Sequence, residues 1–305
     1  MVPPAPRPAL FDAPVLEGHA LLDSGDGQKL ERFGPVTLVR PDPQALWRPR
    51  RPELWKRAHL TFVRESDRGG HWDVGRGAPA CARGRDAAWP VDVAGVRVEI
   101  RPTPFKHVGL FPEQAANWEW TREQRARFDE APSLLNLFGY TGVASLLAAR
   151  AGFRVTHVDA SKASVSWLRR NLELSGLPSD TLRILCEDAL RFVRREARRG
   201  VRYEGLLLDP PAYGRGPKGE KWVFQEGIHD LVAACGEILA ERAFVALSSY
   251  AIGTSPLAMA NLLEELGPGT VTAGELVLSE QAEEDPGTNE SARRLPCGFC
   301  ARWVR

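Results

Sequence analysis

No run of this chain approaches the roughly 20 consecutive apolar residues that a bilayer-spanning helix requires, which argues against a membrane protein. The opening Met1-Val2-Pro3-Pro4-Ala5-Pro6-Arg7 lacks an apolar core and does not read as a secretory leader. Cysteine is scarce and odd in number, five in 305 residues, which speaks against a disulfide framework. No cysteine pair meets a second pair at zinc-ligand spacing. Cys297 and Cys300 form an isolated C-x-x-C, and neither His107 nor His157 has partners for a metal. A reducing cytoplasm without a metal requirement is the expected setting. A dominant charge is lacking too: the net charge of +1 selects no partner.

What is present is unevenly arranged. Apolar residues make up 43% and charged residues 26%, the balance of a globular protein with one large domain and a smaller one. Residues 1–20 hold five prolines and read as a loosely held arm. Residues 21–105 read as a small, mainly antiparallel β subdomain. In it, Asp23–Gly27 is a turn, Pro35–Val39 a strand and 69–88 a loop; Val91–Ile100 is a hairpin around Ala94-Gly95. Between Arg40 and Arg68 eight basic residues face four acidic ones, interleaved with Trp47, Trp55 and Phe62. Two readings weigh equally there: an RNA-binding surface, or a surface segment whose tryptophans anchor it to the core.

After a connecting segment, 106–132, the rhythm changes. Strands at Leu134–Phe138, Arg154–Val158, Leu182–Leu185, Gly205–Leu208 and Phe244–Ser248 alternate with helices. The helices begin near Val143, Ala163, Ala189, Gln225 and Pro256. Two further strands, Val271–Ser279 and Gly298–Val304, have no helix between them. The alternation predicts an α/β, Rossmann-like, seven-stranded sheet over 133–305, with an antiparallel hairpin at its edge.

Ligands of such sheets bind beyond the carboxyl ends of the strands. After the first strand come Phe138-Gly139-Tyr140-Thr141-Gly142, where glycines permit a tight turn before a helix N-terminus. After the second comes Asp159, able to accept from both hydroxyls of a ribose. After the third comes Asp188, able to accept from an adenine amine, although both aspartates also suit helix caps. After the fourth comes Asp209-Pro210-Pro211-Ala212-Tyr213. The set fits a nucleoside-containing ligand. A dinucleotide fits less well, because Thr141 stands where the pyrophosphate fingerprint needs glycine.

Leu135-Asn136-Leu137-Phe138-Gly139-Tyr140-Thr141-Gly142, Val158-Asp159-Ala160-Ser161, Glu187-Asp188-Ala189 and Leu208-Asp209-Pro210-Pro211 resemble the successive motifs of class I S-adenosylmethionine (SAM)-dependent methyltransferases. The nearest branch is the RlmI/RlmK type of 23S ribosomal RNA base methyltransferase. Phe105–Gln114 resembles the segment entering the catalytic domain, whose glutamine lies close to SAM. Leu22–Gly34 resembles the N-terminal region of short members, and the PUA domain of longer ones has no counterpart here.

The resemblance implies SAM as cofactor, held by Gln114, Asn136, Phe138, Gly139, Tyr140, Thr141, Gly142, Asp159, Ala160, Ser161, Asp188, Ala189 and Asp209. It implies that Asp209, Pro210 and Pro211 orient the acceptor, with Tyr213 as a stacking wall or mere packing. The flexible, basic 214–221 loop would contribute Arg215, Lys218 and Lys221 to the substrate. A base in ribosomal RNA is the implied acceptor. A small molecule, a protein side chain, and an RNA-binding factor without catalysis stay open. Methylation of cytosine at carbon 5 would need a thiolate, for which Cys297 is the candidate and Cys300 the second; methylation at nitrogen needs none. His157 reads as a structural residue, and His107 as a holder of its loop.

Overall fold

The computed structural model describes residues 9–66, 69–216, 219–251, 253–281 and 292–305. Residues 1–8 of the expected arm and Lys218 lie outside them. The N-terminal part comprises strands β1 (Ala9–Asp12), β2 (His19–Gly25), β3 (Gln28–Phe33), β4 (Val36–Pro41), β5 (Leu60–Ser66) and β6 (Gly69–Val74), helix α1 (Pro52–Trp55), and the hairpin β7 (Trp89–Val93) and β8 (Val96–Ile100). Helix α2 (Ala115–Gln124) leads to the alternating part: β9 (Ser133–Leu137), α3 (Val143–Arg150), β10 (Arg154–Asp159), α4 (Lys162–Leu174), β11 (Leu182–Cys186), α5 (Ala189–Arg198) and β12 (Tyr203–Leu208). A short hairpin follows, β13 (Tyr213–Arg215) and β14 (Lys221–Val223), then α6 (Phe224–Gly236), β15 (Leu239–Ser249), α7 (Pro256–Glu264), β16 (Thr270–Ser279) and β17 (Arg294–Val304).

The main sheet runs β1-β16-β17-β15-β12-β9-β10-β11. Strands β9 to β12 and β15 are parallel, and β17 inserts antiparallel between β15 and β16. Chain order reverses between β9 and β12, so the binding crevice opens above their carboxyl ends. The seven predicted strands are all there. An eighth comes from the stretch expected as a loose arm: Ala9–Asp12 pairs parallel with Gly274–Val277. Gly274 makes this possible, because a β-carbon there would lie 1.8 Å from the Ala9 carbonyl oxygen.

The second sheet runs β2-β3-β4-β5-β6. The turn expected over Asp23–Gly27 narrows to Asp26-Gly27, both in the left-handed region. The loop expected over 69–88 begins with a strand instead. Gly70 packs so close that a β-carbon would meet the Val63 carbonyl at 2.0 Å, and its glycines misled the reading. The β7–β8 hairpin forms as expected. Its Val91 and Val98 share one core with Phe33 and Leu38 of the second sheet and with Leu134, Leu146 and Leu168 of the alternating part. Leu135, Phe192, Leu231 and Leu247 build a second core cluster.

The aromatic residues of the basic, tryptophan-bearing stretch are held by hydrogen bonds and packing. Trp47 donates to the Ser24 carbonyl, Trp55 to the buried Asp23 carboxylate, and Phe62 is buried against Trp72. Arg40 turns inward onto Glu31, and Arg51 onto the Leu22 and Gln281 carbonyls. These contacts anchor the segment, with Trp47 and Trp55 half-buried. Among the described residues, no helix is long and apolar enough to cross a membrane.

Candidate functional site

The loop after β9 is shaped by packing as much as by any ligand. Phe138 and Tyr140 adopt positive φ, 55° and 51°, a strained choice for residues with side chains. Gly139 between them lies against the buried His157 ring. Gly142 has φ 80°, and a β-carbon there would meet Leu168 at 2.0 Å. Thr141 donates its hydroxyl to the Gly109 carbonyl and accepts from Asn171 on its own carbonyl. Beneath, Asn136 donates to the Ser145 hydroxyl, which pairs with His157 Nδ1. Burial holds the His157 imidazole down at about 3, so the ring is neutral and structural, as expected.

Tyr140 N–H and Ser161 N–H each donate to one oxygen of Asp159, both at 2.8 Å, which ties the loop to the end of β10. The Ser164 side chain bears on the same carboxylate, which keeps acceptor capacity for a hydroxyl. Burial pushes this carboxyl up against the pull of those donors. Ser161, and not Asp159, caps α4, whereas Asp188 caps α5, so the cap reading holds for Asp188 and fails for Asp159. The side chain of Ala189 packs into the core, leaving only its backbone for a ligand.

Across the crevice, Gln114 donates to the Tyr250 hydroxyl and accepts from Asn117 and Ser248. Gln114, Asn136, Phe138, Gly139, Tyr140, Thr141 and Asp209 line a single cleft with Phe111. Burial, then the neighbouring Glu113, pushes the Asp209 carboxyl up to about 7, and its Oδ1 is buried without a partner. A buried acceptor without a partner among the described residues is what a polar ligand would satisfy, and a cleft of rings, amides and one such carboxylate fits a nucleoside with an amino-acid tail.

Pro211 gives its carbonyl to Trp222 Nε1, and Trp222 leans on Phe138 at 5.0 Å. The 214–221 stretch is therefore not loop throughout: Arg215 pairs with Lys221 across the β13–β14 hairpin, both exposed. Tyr213 is 52% exposed on that hairpin, which excludes core packing as its purpose. Burial pushes Cys297 well above the usual thiol range despite Lys29, and Cys300 up to about 11.

Glu113, Asn117, Ser248 and Tyr250 escaped the sequence reading. Ser248 and Tyr250 lie at the end of the fifth parallel strand, where the strand-end rule applied to the other four would have found them. Glu113 sat inside the quoted Phe105–Gln114 motif, but nothing in the sequence announced that it would be buried. Among the described residues no cluster of three or more His, Cys, Asp or Glu side chains could hold a metal.

No protein-family model matches the chain. It is 33% identical over 145 residues to ribosomal RNA large subunit methyltransferase K/L of Pseudomonas paraeruginosa, covering 46% of this chain and 18% of that protein. It is 30% identical over 136 residues to ribosomal RNA large subunit methyltransferase I of Pseudoalteromonas translucida, covering 43% of this chain and 33% of that protein. The chain thus spans only a fraction of these curated relatives' length. A crystal structure of a SAM-dependent methyltransferase from Agrobacterium tumefaciens is 40% identical, with a TM-score of 0.90, over 98% of this chain and 94% of its own. Near-complete coverage at that identity decides the assignment: the chain belongs to the SAM-dependent methyltransferases.

Proposed function

We propose that this enzyme methylates a base of RNA, most directly ribosomal RNA of the large subunit, and does so at a nitrogen. The observation that carries the RNA is the run of 136 to 145 residues shared with two ribosomal RNA large subunit methyltransferases. Work on ribosomal RNA would set it in the cytoplasm. SAM supplies an electrophilic methyl on a sulfonium. Asp159 would accept from its ribose hydroxyls, Asp188 from its adenine amine, and Phe138 to Gly142 with Gln114, Asn136, Ala160, Ser161 and Ala189 would complete its walls. Asp209, Pro210 and Pro211 would orient the acceptor, Tyr213 would stack on it, and Arg215, Lys218 and Lys221 would meet RNA phosphates. The nitrogen target is supported by the half-buried Cys297 and the buried Cys300, whose thiols their surroundings push above the usual range, away from the thiolate that ring carbon methylation needs.

Incubating the enzyme with tritiated SAM and ribosomal RNA from cells lacking it tests the reading. Label should enter the RNA. Label absent from RNA but taken up by small molecules or proteins would overturn the RNA assignment.

A further inference from the structure

Three residues that line the cleft, Gln114, Asn117 and Ser248, are joined by hydrogen bonds to the Arg302 guanidinium on β17. Arg302 is the register partner of Ala246, itself a cleft residue. Its guanidinium packs on the rings of Phe11, at 4.1 Å, and Trp120, at 5.0 Å. It donates to Asn117 Oδ1 from Nε at 3.1 Å and from Nη2 at 2.9 Å, and Nη2 also meets the Ala116 carbonyl at 2.8 Å. The Cys300 thiol donates to the same Asn117 oxygen at 3.3 Å.

These donors leave Asn117 one orientation. A guanidinium has no acceptor, so an amide turned over would set N–H against N–H. The Asn117 amide nitrogen therefore points away from Arg302, and it donates to Gln114 Oε1 at 2.9 Å and to Ser248 Oγ at 3.1 Å. The Ser248 hydroxyl donates to Gln114 Oε1 in turn, at 3.3 Å. Gln114 is fixed by the same reasoning. Its oxygen faces two donors, so its nitrogen faces the other way, where one N–H goes to the Tyr250 hydroxyl at 3.0 Å. The second N–H has no protein partner among the described residues.

We infer that Arg302 is a positioning residue for the cofactor: acting through Asn117, it locks Gln114 with an amide N–H outward, as the donor for the carboxylate of the amino-acid tail. This rests on the cofactor half of the reading above and not on the RNA. The sheet order β11, β10, β9, β12, β15 sets the adenine and ribose acceptors, Asp188 and Asp159, at the ends of the first two strands. Gln114 is bonded to Ser248 at the end of the last, so the opposite end of the ligand falls to it. An unlocked glutamine could present its oxygen instead and repel the carboxylate. The lock removes that wrong orientation before the ligand arrives.

Side-chain amide NMR of the whole enzyme tests the contact. Demethylated SAM should shift the Gln114 amide protons, a signal identified by its loss in Gln114→Met. Methylthioadenosine, which has the nucleoside but no amino-acid tail, should leave them in place. Both ligands shifting them, or neither, overturns the inference. Arg302→Met should weaken binding of demethylated SAM by about tenfold or more, the worth of one hydrogen bond to a charged group, and leave methylthioadenosine within about twofold. Equal weakening of the two would make Arg302 a support of its strand only, and no weakening would detach it from the cofactor; either result sinks the relay. Asn117→Asp serves if Arg302→Met does not fold. It keeps the pair with Arg302, while its acceptor-only carboxylate makes Gln114 turn its nitrogen inward. The Gln114 signal of that variant should no longer respond to demethylated SAM, and a wild-type response contradicts the lock. Demethylated SAM failing to bind at all sinks the cofactor reading and the relay with it, whereas unlabelled RNA touches the RNA reading alone.

Discussion

A β-carbon placed on Gly139 would lie 2.3 Å from the Cε1 of His157 and 2.4 Å from its Nδ1. His157 is fully buried in β10 and cannot swing away. Gly139→Ala should therefore destabilise the enzyme by about 1–3 kcal/mol through overpacking. In a double-mutant cycle with His157→Ala the two losses should fall short of their sum, because the smaller neighbour removes the clash. Urea unfolding of the four proteins reads this out; strict additivity would contradict the packing origin of the glycine.

Asp159 ties Tyr140 and Ser161 to the end of β10 and is the proposed seat of the ribose. Its change to Ala should weaken affinity for demethylated SAM by about 10–100-fold, the worth of one or two hydrogen bonds to a charged group. Calorimetry measures it. Affinity within twofold of wild type would remove Asp159 from the cofactor site.

The Asp209 carboxyl is held near 7, above its value in the unfolded chain, so the folded state prefers it protonated. The linked stability is fully present below the unfolded value and is lost as pH rises through about 7. His157 has the opposite sign: its ring is depressed to about 3, so stability is lost as pH falls from the ordinary histidine range towards 3. The ligand-free enzyme should be more stable near pH 6 than near pH 8, and Asp209→Asn should flatten the alkaline side. Melting temperatures across that range decide it.

Cys297→Ser should retain kcat within about threefold, whereas losing a covalent nucleophile costs on the order of a thousandfold or more. RNA carrying 5-fluorocytosine should form no covalent complex with the enzyme. A trapped adduct on Cys297 would reverse the assignment of the target to nitrogen.

Tyr213 stands exposed beside the Asp209-Pro210-Pro211 segment. Tyr213→Ala should raise KM for RNA by about tenfold, consistent with one stacked base at 1–3 kcal/mol, and leave cofactor affinity alone. Equal loss of both would show that the hairpin is merely misfolded.

The doubly wound half was legible because its strands are continuous apolar runs, such as Leu134 to Leu137, that stop at glycine or aspartate. The helix predicted to begin near Gln225 starts at Phe224 and ends at Gly236, before the long strand β15 opens at Leu239. Strands β1 and β6 were hidden by proline and glycine, whose usual meaning was reversed by close backbone contacts. At the site, Asp159 and Asp209 could be read from strand ends. Glu113 could not, since its carboxylate is buried with one oxygen left without a partner among the described residues, which no local pattern announces. For the basic stretch near Trp47 and Trp55, sequence shows a tryptophan but not what its N–H is bonded to.

Strand β1 carries a consequence for how the protein is made. Ala9–Asp12 is made before its partner Gly274–Val277, with strands β9 to β12 and β15 between them in the chain. The nascent chain must keep that strand waiting, and this rim of the large sheet can seal only once Gly274–Val277 has been made.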